Sequence, residues 1–134
     1  MRKEAENFLS QAESDLRNAK LLFENEAYDL VAFLSHQIAE KAIKAYLIKK
    51  KNELPPKTHN LKELADAAGV PIKISLYLRD LTPHYIVSRY PDASNGIPAE
   101  LYTKQTADDL LEKATEVLKW VKEMLLKVVI TTFY

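Results

Sequence analysis

The stretch RDLTPHYIVSRYPD, Arg79 to Asp92, gathers two arginines, a histidine and two tyrosines around Pro83 and Pro91. Arginine offers a rigid fork of donors that matches phosphate oxygens, and histidine titrates near neutrality and can take up or release a proton. Arg79 and His84 therefore carry the residue types needed to hold an anion and move a proton beside it. Arg89 is a further candidate phosphate clamp, and Tyr90 offers a face on which a base could stack. Each has a plainer reading. His84 would pack under the loop while Arg79 pairs with an acid on a neighbouring helix. Tyr90 would sit in the core, with Pro91 fixing the turn into the last helix. In an unbroken helix, residues five apart are turned by roughly 140° about the axis. A break at Pro83 would let His84 swing back toward Arg79.

A second polar pattern lies in SHQIAEKAIKAY, where His36, Glu40 and Lys44 recur at intervals of four, with Lys41 beside them. The plain reading is a solvated helix face with one Glu–Lys pair worth roughly a few tenths of a kcal/mol. The functional reading is that Lys41 and Lys44 face an anionic ligand. His59, following Thr58, reads most simply as part of a helix cap. The histidines His36, His59 and His84 fall in three different segments, without HExxH or comparable ligand spacing. There is no glycine-rich phosphate loop and no GxSxG elbow, and zero cysteines leave no thiolate chemistry. Neither a metal nor a cofactor is expected.

These residues are positioned by helices. From Ala5 to Phe23 the apolar residues keep the three-four spacing of one helical face, predicting a helix from about Lys3 to about Glu24. A second, from about Ala27 to Lys50, has a wide apolar arc and should be central. Pro55 and Pro56 end that stretch. In THNLKELADAAG, Asn60 and Glu63 stand at capping-box spacing and Gly69 at the stop, predicting a short third helix. Ile72 to Leu81 fits both a strand and a helix, and the absence of any partner strand favours helix. A last helix is expected from about Thr106 to Lys127. The tail VVITTFY is apolar and would pack on the bundle or on a partner. The 134 residues suit one domain, an antiparallel four- to five-helix up-and-down bundle. Nineteen acidic and nineteen basic residues cancel, so no global field draws the chain to nucleic acid. With no apolar run of membrane-spanning length and a charged start, a cytoplasmic protein is expected.

The run YDLVAFLSHQIAEKAIKAYLI, then THNLKEL, then LRDLTPHYIVSRYPD, in this order, resembles the HEPN family, named for higher eukaryotes and prokaryotes nucleotide-binding. Arg89, Tyr90 and Pro91 resemble its RYP-bearing prokaryotic branch. The resemblance implies a helical bundle, often a homodimer, associated with nucleotides or RNA. It also implies pairing with a minimal nucleotidyltransferase in a two-component, toxin–antitoxin-like module. Catalytic members are metal-independent endoribonucleases marked by an arginine, four to six residues, then a histidine, a string that Arg79 and His84 supply here. The apolar tail and the wide arc of the second helix predict a homodimer. The loop and the polar side of that helix, with Lys41 and Lys44, are expected to share one cleft.

Overall fold

A computed structural model describes the backbone of residues 2–133 and the side chains of residues 2–127. Among the described residues, five helices of two turns or more form an all-α bundle: α1 (Arg2–Glu24), α2 (Tyr28–Lys51), α3 (Leu61–Ala68), α4 (Ile72–Leu81) and α8 (Lys104–Phe133). Three single turns, α5 (His84–Val87), α6 (Pro91–Ser94) and α7 (Pro98–Leu101), connect α4 to α8. The tail expected to pack on the bundle begins at Val128, so its side chains lie outside the described residues.

The α1–α2 hairpin closes through Glu26, whose φ of 62° lets the amide of Ala27 reach back to the Leu22 carbonyl at 2.9 Å. That left-handed residue satisfies the last carbonyls of α1 and reverses the chain. α2 occupies the middle and packs most extensively on α1 and α8. Val31, Ile38, Ala42, Ile43 and Ile48 are all fully buried, which accounts for the wide apolar arc. At its far end Tyr46 meets Trp120 of α8 edge-on, with ring centroids 5.0 Å apart. Leu61, Leu64, Leu78 and Leu81 extend the same core into α3 and α4.

α3 begins and ends as its residues dictate. The Asn60 side chain accepts from the amides of Lys62 and Glu63, at 2.9 and 3.3 Å, and Gly69 terminates the helix with φ of 65°. Nζ of Lys50 donates to the Ala68 carbonyl at 2.9 Å, tying the end of α2 to the end of α3. α8 starts two residues before the expected Thr106. Thr103 and Thr106 exchange hydrogen bonds there: the Thr106 hydroxyl accepts from the Thr103 amide at 2.8 Å, and the Thr103 hydroxyl from the Thr106 amide at 3.2 Å. No helix among the described residues is long and apolar enough to cross a membrane.

Candidate functional site

Between α4, α5 and the start of α8 lies a cleft of about 690 Å³ whose walls include Arg79, Asp80, Pro83, His84, Thr103 and Lys113. Pro83 has no amide donor, so the helical hydrogen bonding of α4 lapses, yet Thr82 and Pro83 keep right-handed helical angles. The chain thus continues nearly along the direction of α4. Asp80 and His84, four apart, fall on one side, and Arg79 and Pro83 on the adjoining side. Arg79 and His84 reach the same cleft because it is broad, without the backward swing that a clean break would allow.

The charges of the cleft are unequal in freedom. Nζ of Lys113 bonds both Asp109 at 2.9 Å and Asp80 at 3.1 Å, and the hydrogen bond to Asp109 leads the interactions that raise its pKa. The Arg79 guanidinium stands 3.6 Å from Asp80 and its side chain is 68% exposed. Arg79 is therefore available to an incoming anion, and Lys113 is already neutralised. Nδ1 of His84 lies 2.6 Å from the Tyr102 hydroxyl, which leaves Nε2 without a partner among the described residues. Burial, reinforced by nearby Lys113, holds the His84 imidazole below its ordinary pKa. Burial pushes the Tyr102 phenol up to about 12, so it keeps its proton. This hydroxyl can donate to Nδ1 or accept from it, and each choice assigns Nε2 the opposite role.

The polar stripe of α2 is a buried network and not the solvated face that its spacing suggests. His36 is fully buried and its Nε2 donates to the His59 carbonyl at 2.9 Å. Burial pushes its pKa down to about 4. Glu40, also buried, accepts from Nδ1 of His59 at 2.8 Å and from Nζ of Lys44 at 3.2 Å. Desolvation explains the arrangement: a buried carboxylate must be met by donors, and two are supplied. His59 is thus not a cap, which Asn60 provides, but a clasp from the loop before α3 onto α2. Its ring stacks on Tyr85 of α5, centroids 4.2 Å apart and planes 14° from parallel.

The expectation of one shared cleft is not met. Lys44 is turned inward to Glu40, and Lys41 pairs with Asp15 of α1 at 2.5 Å, so neither lines the Arg79–His84 cleft. Arg89 lies on the α2 side of α5, its Nε donating to the Tyr85 carbonyl at 2.8 Å and its guanidinium carbon 4.5 Å from the Phe33 ring centroid. Tyr90 is 49% exposed, which removes the reading that puts it in the core. Pro91 opens α6, a single turn, well before the last helix. Asp80, Tyr102, Lys113, Glu40, His59 and Tyr85 were missed as site residues. For Glu40 the signal was present in its flanking His36 and Lys44; Tyr102 and Lys113 reach the site only through the path of the chain.

The HEPN domain family matches residues 5–124. The chain belongs to the HEPN family. It is 31% identical to the Methanocaldococcus jannaschii protein named "Putative toxin MJ1304", over 92% of this chain and 89% of that one. The crystal structure of an archaeal HEPN homologue superposes with a TM-score of 0.78 at 36% identity, covering 90% of this chain and 96% of the other. The crystal structure of TT1696 from Thermus thermophilus gives 0.82 at 30% identity, covering 92% and 98%. The all-α bundle expected for a HEPN chain is the fold observed.

Proposed function

We propose that this HEPN chain is the toxin-like component of a two-component module, pairs with a minimal nucleotidyltransferase, and holds RNA or a nucleotide by phosphate in the Arg79–His84 cleft. The observation that carries the reading is the exposed Arg79 guanidinium in the cleft that His84 also lines, where Lys113 is already paired. An available guanidinium at the rim of a polar cleft fits a phosphate by its fork of donors. The toxin name of the Methanocaldococcus jannaschii relative supports the module. In this reading Lys41 and Lys44 have structural roles.

A second reading, a metal-independent endoribonuclease, is favoured by one observation: Tyr102 orients His84 through Nδ1 and leaves Nε2 open. Its lowered pKa keeps the ring neutral near pH 7, the form that accepts a proton. In that reaction a base removes the ribose 2'-hydroxyl proton, the 2'-oxygen bonds to phosphorus, and the bond from phosphorus to the 5'-oxygen breaks as that oxygen gains a proton. The products are a 2',3'-cyclic phosphate and a 5'-hydroxyl. One His84 per chain provides one transfer, and a second copy facing it across a cleft would provide the other. Light scattering should then give about twice the 15.3 kDa chain mass.

Both readings meet in one experiment. The wild type should bind labelled single-stranded RNA or nucleotide, and Arg79→Ala should weaken that binding. If the chain also cuts RNA, cutting should persist in excess chelator. His84→Ala should then slow it by roughly 100- to 10,000-fold and Arg79→Ala by roughly 100- to 1,000-fold. Binding without cutting supports the non-catalytic subunit, and cutting that survives both substitutions excludes this cleft as the catalytic centre. Failure of the wild type to bind either ligand would reject both readings.

A further inference from the structure

α5 separates two sets of side chains. His84 faces the cleft beside α8, whereas Tyr85, and Arg89 one turn later, face α2 and the loop before α3. The Arg89 guanidinium carbon lies 4.4 Å from the Tyr85 centroid, 4.5 Å from Phe33 and 5.1 Å from Tyr90. Its Nε is held by the Tyr85 carbonyl, and among the described residues no carboxylate pairs with its two terminal nitrogens. An arginine fixed among rings has little side-chain freedom left to lose on binding, and its outer donors are unused.

Open ring faces stand next to this cation. Tyr90 is 49% exposed, and the His59 side chain, anchored to Glu40 and stacked on Tyr85, is 55% exposed. Exposed rings around a fixed cation suit the bases and phosphates of an unpaired strand, whereas a duplex keeps its base faces hidden. Resting on the function proposed above, we infer that a single-stranded RNA segment crosses the α5 ridge, with one phosphate on the Arg89 fork, its base on Tyr90, and a neighbouring phosphate at Arg79 and His84. The ridge is a second nucleic-acid subsite. Arg89 and Tyr90 bind and position the strand and take no part in bond breaking.

The test is fluorescence anisotropy with labelled oligouridine and, separately, a paired RNA of equal length, on the full chain. Tyr90→Ala should weaken oligouridine binding roughly 5- to 150-fold, the range for loss of one stacked base, and Tyr90→Phe should restore it. Arg89→Ala should weaken it as well, and Arg89→Lys should not restore it, because an ammonium lacks the planar fork. Duplex binding should be insensitive to Tyr90→Ala. Should Arg89→Ala melt early, the exposed Tyr90 decides alone. Oligouridine binding that depends on Arg79 but is unchanged by Tyr90→Ala overturns the inference and leaves the cleft reading standing. No binding by the wild type overturns both. A change in light-scattering mass on Tyr90→Ala at unchanged RNA affinity assigns the ring to a protein interface and also overturns it.

Discussion

At the scale of single residues, the buried network of α2 determines how the molecule responds to acid. His36 is surrounded by the His59 carbonyl, the Tyr85 ring and the Glu40 carboxylate, whose Oε1 is 3.9 Å from Nδ1. Burial holds its pKa at about 4 in the folded chain, against 6.5 for the free side chain. Above pH 6.5 the ring is neutral folded or unfolded, and its full contribution to stability is present. As pH falls toward 4 the unfolded chain takes up the proton first, and up to roughly 3 kcal/mol is lost. Denaturant unfolding at a series of pH values should show this loss in the wild type. In His36→Gln, whose amide can still donate to the His59 carbonyl, the slope between pH 6.5 and 4 should be shallower; equal slopes would assign the acid sensitivity elsewhere. The sequence showed that His36, Glu40 and Lys44 share a face, because spacing on a helix is local. It did not show that the face points inward, because that depends on His59 and Tyr85 arriving from 19 and 45 residues beyond Glu40.

At the scale of elements, the helices with local start and stop signals were legible. α3 is the clearest, with Asn60 and Gly69 at its ends as read, and Ile72–Leu81 is the helix expected despite its alternating apolar residues. Asn60→Ala removes the acceptor for two amides and should lower the unfolding free energy by about 1 kcal/mol. Chemical denaturation would measure it. Asn60 adjoins His59, so the same variant tests whether the cap also steadies the clasp: a loss well above about 2 kcal/mol, the upper end for a cap alone, would mean that the His59–Glu40 contact fails with the helix start. The single turns α5, α6 and α7 were not legible. Segments of four residues carry no periodicity, and what fixes them is packing, as where Ser88 is buried and its hydroxyl bonds the His84 carbonyl at 2.5 Å. The candidate site straddles a well-read helix, α4, and a turn that was not read, α5. Arg79 and His84 were therefore identifiable as a pair, while their relation to Arg89 was not.

At the scale of the whole molecule, charge balance decides how such a site can work. The nineteen acidic and nineteen basic residues leave no long-range attraction for a polyanion, so RNA affinity has to come from the few cations placed against the strand. Lys41, Lys44, Lys113 and Lys122 are each bound to carboxylates and add little to that count. Of the cations along the proposed path of the strand, Arg79, loosely paired with Asp80 at 3.6 Å, and Arg89 remain. Two phosphate contacts on a single strand correspond to a slope of roughly −1.4 in the logarithm of the binding constant against the logarithm of salt concentration. A strongly basic nucleic-acid binder would give a far steeper line. Titrations of oligouridine at several salt concentrations should give the shallow slope in the wild type, and Arg89→Ala should reduce it to roughly −0.7 while Tyr90→Ala leaves it unchanged, because stacking displaces no counterion. A wild-type slope steeper than about −4 would require many more phosphate contacts than α4 and α5 supply, and would move the principal RNA surface to another face of the bundle.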